Sequence, residues 1–187
     1  NFELYSPSDQ QSASALVNLC IEKHGPKYLR LDAQPLRALR NKLTKNTVED
    51  GFEMLRDGYN GLLIATGYMT HTALEVANQL SPELDLCVVD IFNLSSFNRK
   101  KLSAIIKRFR TTFTLEEGFV ERGGLDAVVS ALIRQQKIYC YHEPIGVAPN
   151  YRFELGSRDE LHALVGIDQN TVTKKVELMC NAFKVAS

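Results

Sequence analysis

No net charge biases this chain. Its 187 residues carry 22 basic and 22 acidic side chains, so no overall field draws it to nucleic acid or to an anionic membrane, and neither is an expected partner. Metal-ligand spacing is missing as well. Cys20, Cys87, Cys140 and Cys180 lie far apart, with no C-x2-C pair and no nearby histidine at ligand spacing, so neither a zinc site nor a disulfide framework is signalled. Isolated cysteines of this kind are expected as small buried apolar residues. No apolar run approaches the roughly 20 residues that cross a bilayer, and no signal-peptide pattern opens the chain, so the expected compartment is the cytoplasm. Repeats and low-complexity tracts are lacking too. The opening NFELYSPSDQ has no methionine and starts directly in a strand-like segment, as a piece cut from something longer would.

What is present is a regular alternation. With 44% hydrophobic residues the chain can bury a core, and its length suits one domain with an extension. Residues 2–32 read as strand, helix, strand: Ser6 as helix cap with Pro7 in the first turn and Asp9 near the positive end of the dipole, then Ala13, Leu16, Val17 and Cys20 on one face. Gly25-Pro26 stops that helix. Residues 33–60 mix charges, proline and two Asp-Gly pairs, and read as a linker with a short strand near Phe52 to Leu55. Beyond it, Leu62 to Ala65 is apolar throughout, as a strand buried on both faces should be. Ala73, Val76, Ala77 and Leu80 then share a helical face. Leu86 to Ile91, Thr112 to Leu115 and Lys137 to Tyr141 read as further strands. Between them come helices carrying Leu102, Ile105, Ile106 and Phe109, and then Leu125, Val128, Val129 and Leu132. The order predicts an α/β fold: a three-layer, doubly wound, mainly parallel sheet. Near the end, Ser157 with Glu160 makes a capping box, Gly166 closes that helix, and Asp168 caps a last one bearing Val172, Val176 and Met179.

In such a sheet ligands bind beyond the carboxyl ends of the strands. The positions expected there are Gly67-Tyr68, Asp90 with Asn93, Glu116-Glu117 and His142-Glu143, an acidic rim that repels nucleotide phosphates. The spacing Gly118-x4-Gly123 is that of a nucleotide-binding P-loop, but Gly124 and Leu125 stand where its Lys and Ser/Thr belong. The segment after Ala65 has one glycine of the dinucleotide fingerprint. His24, His71, His142 and His162 are scattered, and Arg99 to Arg110 spreads its charges as a solvated helix face does. Asp50-Gly51 and Asp57-Gly58 lack the preceding glycine of a thiamine-diphosphate motif and read as turns. Glu116 and Glu117 read as a strand-end pair bonded to loop N–H groups or facing a partner subunit, with Arg122 the only cation close in sequence.

Four segments carry a resemblance: GLLIATGYMTHTALEVANQL, DLCVVDIFNLSSFN, TTFTLEEGFVERGGLDAVVSALI and YRFELGSRDELHALVGID. In that order and spacing they resemble the carboxyl-terminal domain of transketolases and 1-deoxyxylulose-5-phosphate synthases, from about Lys45 onward. The glutamate pair followed by a glycine turn and helix is among the more specific of these signs. Residues 1–32 resemble the last strand-helix-strand of the pyrimidine-binding domain that precedes it, with Pro7 to Asp9 at the helix start. The implied division is 1–32 as the end of that domain, 33–60 as linker and 61–187 as the carboxyl-terminal domain.

The resemblance implies a homodimeric, thiamine-diphosphate- and magnesium-dependent transferase that moves two-carbon units between sugars or sugar phosphates. It implies that cofactor and metal sit on upstream domains, with no catalytic, cofactor-binding or metal-binding residue on this part, which is expected to be inactive alone. Arg30 is the candidate substrate-binding residue. Aligning on Gly25-Pro26 puts Ala33 where a phosphate-holding arginine is expected. Gly67, Glu116, Glu117, Gly118, Gly123 and Gly124 are implied as structural or interface residues. An assembly subunit of a split enzyme, a synthase-like enzyme and a metal-dependent phosphoryl-transfer domain using the acidic strand ends remain open alternatives.

Overall fold

In a computed structural model, which describes residues 2–185, the alternation closes into a five-stranded sheet with helices on both faces and a two-stranded sheet beside it. The small sheet pairs β1 (Glu3–Tyr5) with β2 (Lys27–Leu29) in parallel across α1 (Gln10–Glu22). The segment that follows holds α2 (Lys45–Asp50) and β3 (Phe52–Arg56). Then come β4 (Gly61–Ala65), α3 (Met69–Leu80), β5 (Leu86–Ile91), α4 (Arg99–Ile106), β6 (Thr111–Phe119), α5 (Leu125–Gln135) and β7 (Tyr141–Val147). Two helices finish the chain, α6 (Arg158–Val165) and α7 (Gln169–Val185). The main sheet runs β3-β5-β4-β6-β7, parallel except for antiparallel β3 at one edge.

Strand β4 shows why the layers form. Its side chains alternate between faces, so Leu62 and Ile64 join a cluster with Leu102 and Ile106 of α4 and Val129 and Leu132 of α5. Leu63 and Ala65 join the opposite cluster with Ala73, Val76 and Ala77 of α3 and Val172 and Val176 of α7. Each fully buried Leu or Ile contributes about 1.5–3 kcal/mol. The α/β, doubly wound expectation holds, and so do the three caps near the end. Ser157 and Glu160 bond reciprocally, Gly166 closes α6 at φ +76°, and the Asp168 carboxylate accepts the Thr171 N–H at 3.1 Å.

Three local expectations are corrected. First, α1 is capped by Asp9, not Ser6: Asp9 Oδ1 accepts the Ser12 N–H at 2.8 Å, and the Ser12 hydroxyl oxygen accepts the Asp9 N–H in return. Ser6 is engaged elsewhere: its Oγ accepts from Arg30 Nη2 at 3.0 Å and its N–H donates to the Phe92 carbonyl at 2.9 Å. On the helix itself, Val17 is exposed, while Leu16, Leu19 and Cys20 pack on Tyr5, Leu43 and Phe92. Second, the short strand expected near Phe52 to Leu55 is present as β3, but it is not a linker element: it hydrogen-bonds to β5 as an edge of the main sheet. The helix before it is too short for periodicity to reveal; Gly51, at φ +75°, ends it. Third, the last strand begins at Tyr141, not Lys137. Lys137 adopts φ +49° as α5 ends, and Tyr139 is 98% exposed. Pro144 looks like a stop but lies inside β7, tolerable because β7 is an edge strand. His142 and Glu143 therefore sit near the amino end of β7, away from the expected rim.

Candidate functional site

A cavity of about 250 Å³ opens where β1, β2, β4 and β6 end, lined by Ser6, Arg30, Asp32, Gly67, Tyr68, Glu117 and Arg158 among others. Backbone pairing places the first two. The Arg30 N–H donates to the Tyr5 carbonyl at 2.8 Å, and Arg30 Nη2 then donates to Ser6 Oγ at 3.0 Å. Gly67 follows β4 at φ +58°, and a Cβ there would lie 3.1 Å from Ser6 Oγ. Glycine thus lets the turn approach Ser6 and Arg30 closely. The first turn of α3, which follows, has no side-chain cap.

The opposite wall is an ion-pair network. Arg158, the first residue of α6, donates Nη2 to Asp32 at 2.6 Å and sets Nε 3.1 Å from Glu117. Its guanidinium lies over the Tyr68 ring, 4.1 Å from the centroid. Glu117 also meets His162 Nε2 at 2.7 Å. The Asp32 carboxyl is held below the ordinary carboxylate range: burial pushes it up, but the Gln34 N–H and Arg158 outweigh that. Two cations and two carboxylates balance in the cavity, and Arg158 is bound on both sides. Among the described residues, Arg30 has no carboxylate at ion-pair distance.

Glu116 and Glu117, adjacent in sequence, serve different places. Glu116 is buried, and its Oε1 accepts the Asp126 N–H at the start of α5 at 3.3 Å. Burial pushes its carboxyl up, opposed by the N–H groups of Asp126 and Leu125. The chain's own carboxylate therefore occupies the helix start that the P-loop-like spacing suggested for a phosphate. A Cβ at Gly124 would collide with Glu116 Oε1, and one at Gly118 would lie 2.6 Å from Oε2. These two glycines leave room for that carboxylate. Gly123 differs, with open space around it and a φ of +89°. Gly118 belongs to β6, so the turn itself is shorter than the sequence suggests. Of the two alternatives for this pair, bonding to loop N–H groups describes Glu116, whose Oε1 accepts the Asp126 N–H, while Glu117 meets Arg158 and His162 of the same chain.

A second cluster centres on Arg40, which sequence reading missed. Its side chain is almost fully buried among Asp90 (2.6 Å), Glu53 (2.9 Å) and Asp9 (3.3 Å). Ser8 Oγ donates to the same Asp90 oxygen at 2.5 Å, and Thr70 Oγ1 to the other at 3.0 Å. Burial pushes the Asp90 and Glu53 carboxyls up against the pull of Arg40. Asp9 is lowered: burial acts upward, but bonds from Ser12 and Leu39 and the charge of Arg40 prevail. Nothing local separates Arg40 from Arg37 in a charged, irregular stretch. Asp90, expected on an open rim, is thus a buried member of an ion cluster.

The remaining candidates stay apart. His142 sits between Thr114 Oγ1 (3.0 Å) and Ser130 Oγ (2.9 Å), and burial lowers its pKa. Among the described residues no group of three or more His, Cys, Asp or Glu side chains is disposed to hold a metal, and no helix is long and apolar enough to cross a membrane.

A family model described as the transketolase C-terminal domain matches residues 50–172. The chain belongs to that family. Its match begins just ahead of β3, in keeping with the pairing of β3 to the main sheet. A 1-deoxy-D-xylulose-5-phosphate synthase from Geobacter metallireducens is 26% identical over 94% of this chain and 28% of its own length. One of the subunits of an apulose-4-phosphate transketolase from Actinobacillus succinogenes is 22% identical over 92% of this chain and 55% of its own. Among solved structures, a split-gene transketolase described as an inactive beta4 tetramer aligns with a TM-score of 0.84 at 25% identity, covering 97% of this chain and 58% of that one. A transketolase from Pichia stipitis has the same fold at a TM-score of 0.73 and 16% identity. The chain thus spans between about a quarter and three fifths of these proteins' lengths.

Proposed function

We propose that this chain is the carboxyl-terminal part of a thiamine-diphosphate- and magnesium-dependent, transketolase-like enzyme that transfers two-carbon units between sugars, working as a homodimer in the cytoplasm. The observation that carries the reading is the likeness to a split-gene transketolase over 97% of this chain and 58% of that one. It favours a subunit or segment that completes a partner bearing the cofactor. The residues in hand do not fit the diphosphate-metal end of the cofactor. A bound magnesium needs free oxygen ligands, and the cavity carboxylates Asp32 and Glu117 are both taken by Arg158. In this reading Arg30 holds an anionic or hydroxyl group of the substrate at the cavity mouth. The glycines at 118, 123 and 124 shape the Glu116 turn.

Calorimetric titration of the chain with thiamine diphosphate and magnesium is expected to give no saturable heat. Mixing it with the cofactor-binding part from its own source is expected to yield transfer from a ketose donor to an aldose acceptor. In that mixture, Arg30→Ala should raise KM for the sugar far more than it lowers kcat. Micromolar binding of thiamine diphosphate by the chain alone, or a mixture without transfer, would overturn the reading.

A further inference from the structure

Between β7 and α6 the chain presents apolar side chains that no other described residue covers. Tyr151, Phe153 and Leu155 are 93%, 87% and 98% exposed, and Arg152 and Glu154 alternate with them. That period of two is the pattern of a strand with one apolar face. The Tyr151 and Phe153 rings lie stacked, with centroids 6.4 Å apart, on one side. Three neighbouring residues of this size left in water are unusual for a surface, where single apolar side chains are common and contiguous patches mark contacts.

We propose that Tyr151–Leu155 is a self-complementary docking strand that pairs two copies of this chain antiparallel about Phe153. A twofold axis through Phe153 sets Phe153 against its own copy, Tyr151 against Leu155, and Arg152 against Glu154. Within one copy Arg152 Nη1 lies 4.0 Å from Glu154 Oε1; in the pair each of these charges also meets its opposite across the axis, and the three apolar residues face three apolar residues. Opposite charges across an antiparallel pair stabilise it, and like charges oppose it. The backbone agrees with this register. The Phe153 N–H is already bound to the Glu154 carboxylate at 3.0 Å, which suits the central residue of a pair that exchanges no hydrogen bonds. Among the described residues, no backbone hydrogen bond is seen for the N–H groups of Arg152 and Glu154, the two that would exchange bonds across the axis. Pro149, which has no N–H, and Gly156 bound the strand at either end.

This deepens the homodimer part of the proposed reading by locating a contact, and its test does not involve the transfer reaction. Aromatic side chains bury about 150–250 Å² each, so both copies together hide roughly 1,000 Å², at the weak end of specific interfaces. The expected dimer therefore forms with concentration.

Sedimentation of the full chain from about 1 to about 100 µM should pass from monomer to dimer. Glu154→Arg puts like charges opposite one another at two places and should weaken association about tenfold. The swapped double variant Arg152→Glu with Glu154→Arg restores both pairs and should bring association back to near the parent value. Both residues are exposed, so unchanged circular dichroism and melting are expected for either variant. A parent chain that stays monomeric throughout would overturn the proposal and hand this face to another partner. So would an association indifferent to Glu154→Arg, or one that the double swap fails to restore.

Discussion

Arg40 stands among three carboxylates with its side chain almost out of water, and that position decides what its loss would do. An arginine-carboxylate pair inside a protein adds little net stability once both charges are desolvated, but removing one partner strands the other. Arg40→Met should therefore cost about 3–5 kcal/mol near neutral pH, read from urea unfolding. The pH dependence has a definite sign. Asp90 and Glu53 are raised by burial even with Arg40 present. Their ionised forms therefore weigh against the fold, and stability is lost as pH rises through the raised pKa values. Without Arg40 those values rise further, so the variant should lose more at pH 7 than at pH 5. An equal loss at both pH values would mean that these carboxylates do not sense Arg40. None of this was legible beforehand, because the partners come from residues 9, 53 and 90 and no local pattern joins them.

At the scale of elements, the β6-to-α5 turn depends on glycines for two different reasons. Gly124 leaves space for the Glu116 carboxylate, whereas Gly123 supplies a left-handed conformation. Gly124→Ala should cost about 1–3 kcal/mol by pushing that carboxylate off the Leu125 and Asp126 N–H groups. Gly123→Ala should cost about 1 kcal/mol from conformation alone. A double-mutant cycle separates the causes: Glu116→Ala should couple to Gly124→Ala by roughly 1 kcal/mol and to Gly123→Ala hardly at all. Equal coupling would refute the steric account. The contrast also explains how much was readable. Helices α3 and α5, strand β4 and the caps at Ser157, Gly166 and Asp168 declare themselves through periodicity and local bonds. The start of α1 was misread because Ser6 and Asp9 are both good caps, and only the tertiary fold shows that Ser6 is held by Arg30 and Phe92 instead. The site was half legible: Arg30, Gly67 and Glu117 do meet in one cavity, but Arg158 and Asp32, which set its charge balance, lie 126 residues apart. The separate surroundings of Glu116 and Glu117 likewise need the tertiary fold.

For the whole molecule, the question is what joins the small β1-β2 sheet to the large one. Two parallel strands with exposed edges do not hold together alone in water. Their anchors are the Ser6 N–H to Phe92 and Leu94 N–H to Leu4 bonds at 2.9 Å, the Tyr5, Leu16, Leu43 and Phe92 cluster, and the Arg40 centre, where Asp9 meets Asp90 and Glu53. Of these three anchors, the last is the one whose charges a single substitution can strand. If the two sheets are separate units of local opening, hydrogen exchange should resolve them. The amides of Tyr5 and Arg30 should exchange faster than those of Leu63 and Val88 in the parent chain. In Arg40→Met, the first pair should lose more protection than the second, because the freed carboxylates favour release of the amino-terminal segment before the five-stranded core opens. Mass-spectrometric exchange on peptides from residues 3–31 and 61–91 gives the comparison directly. Equal losses in both would show that the chain opens as one body, with Arg40 supporting the main sheet as much as the segment clamped against it.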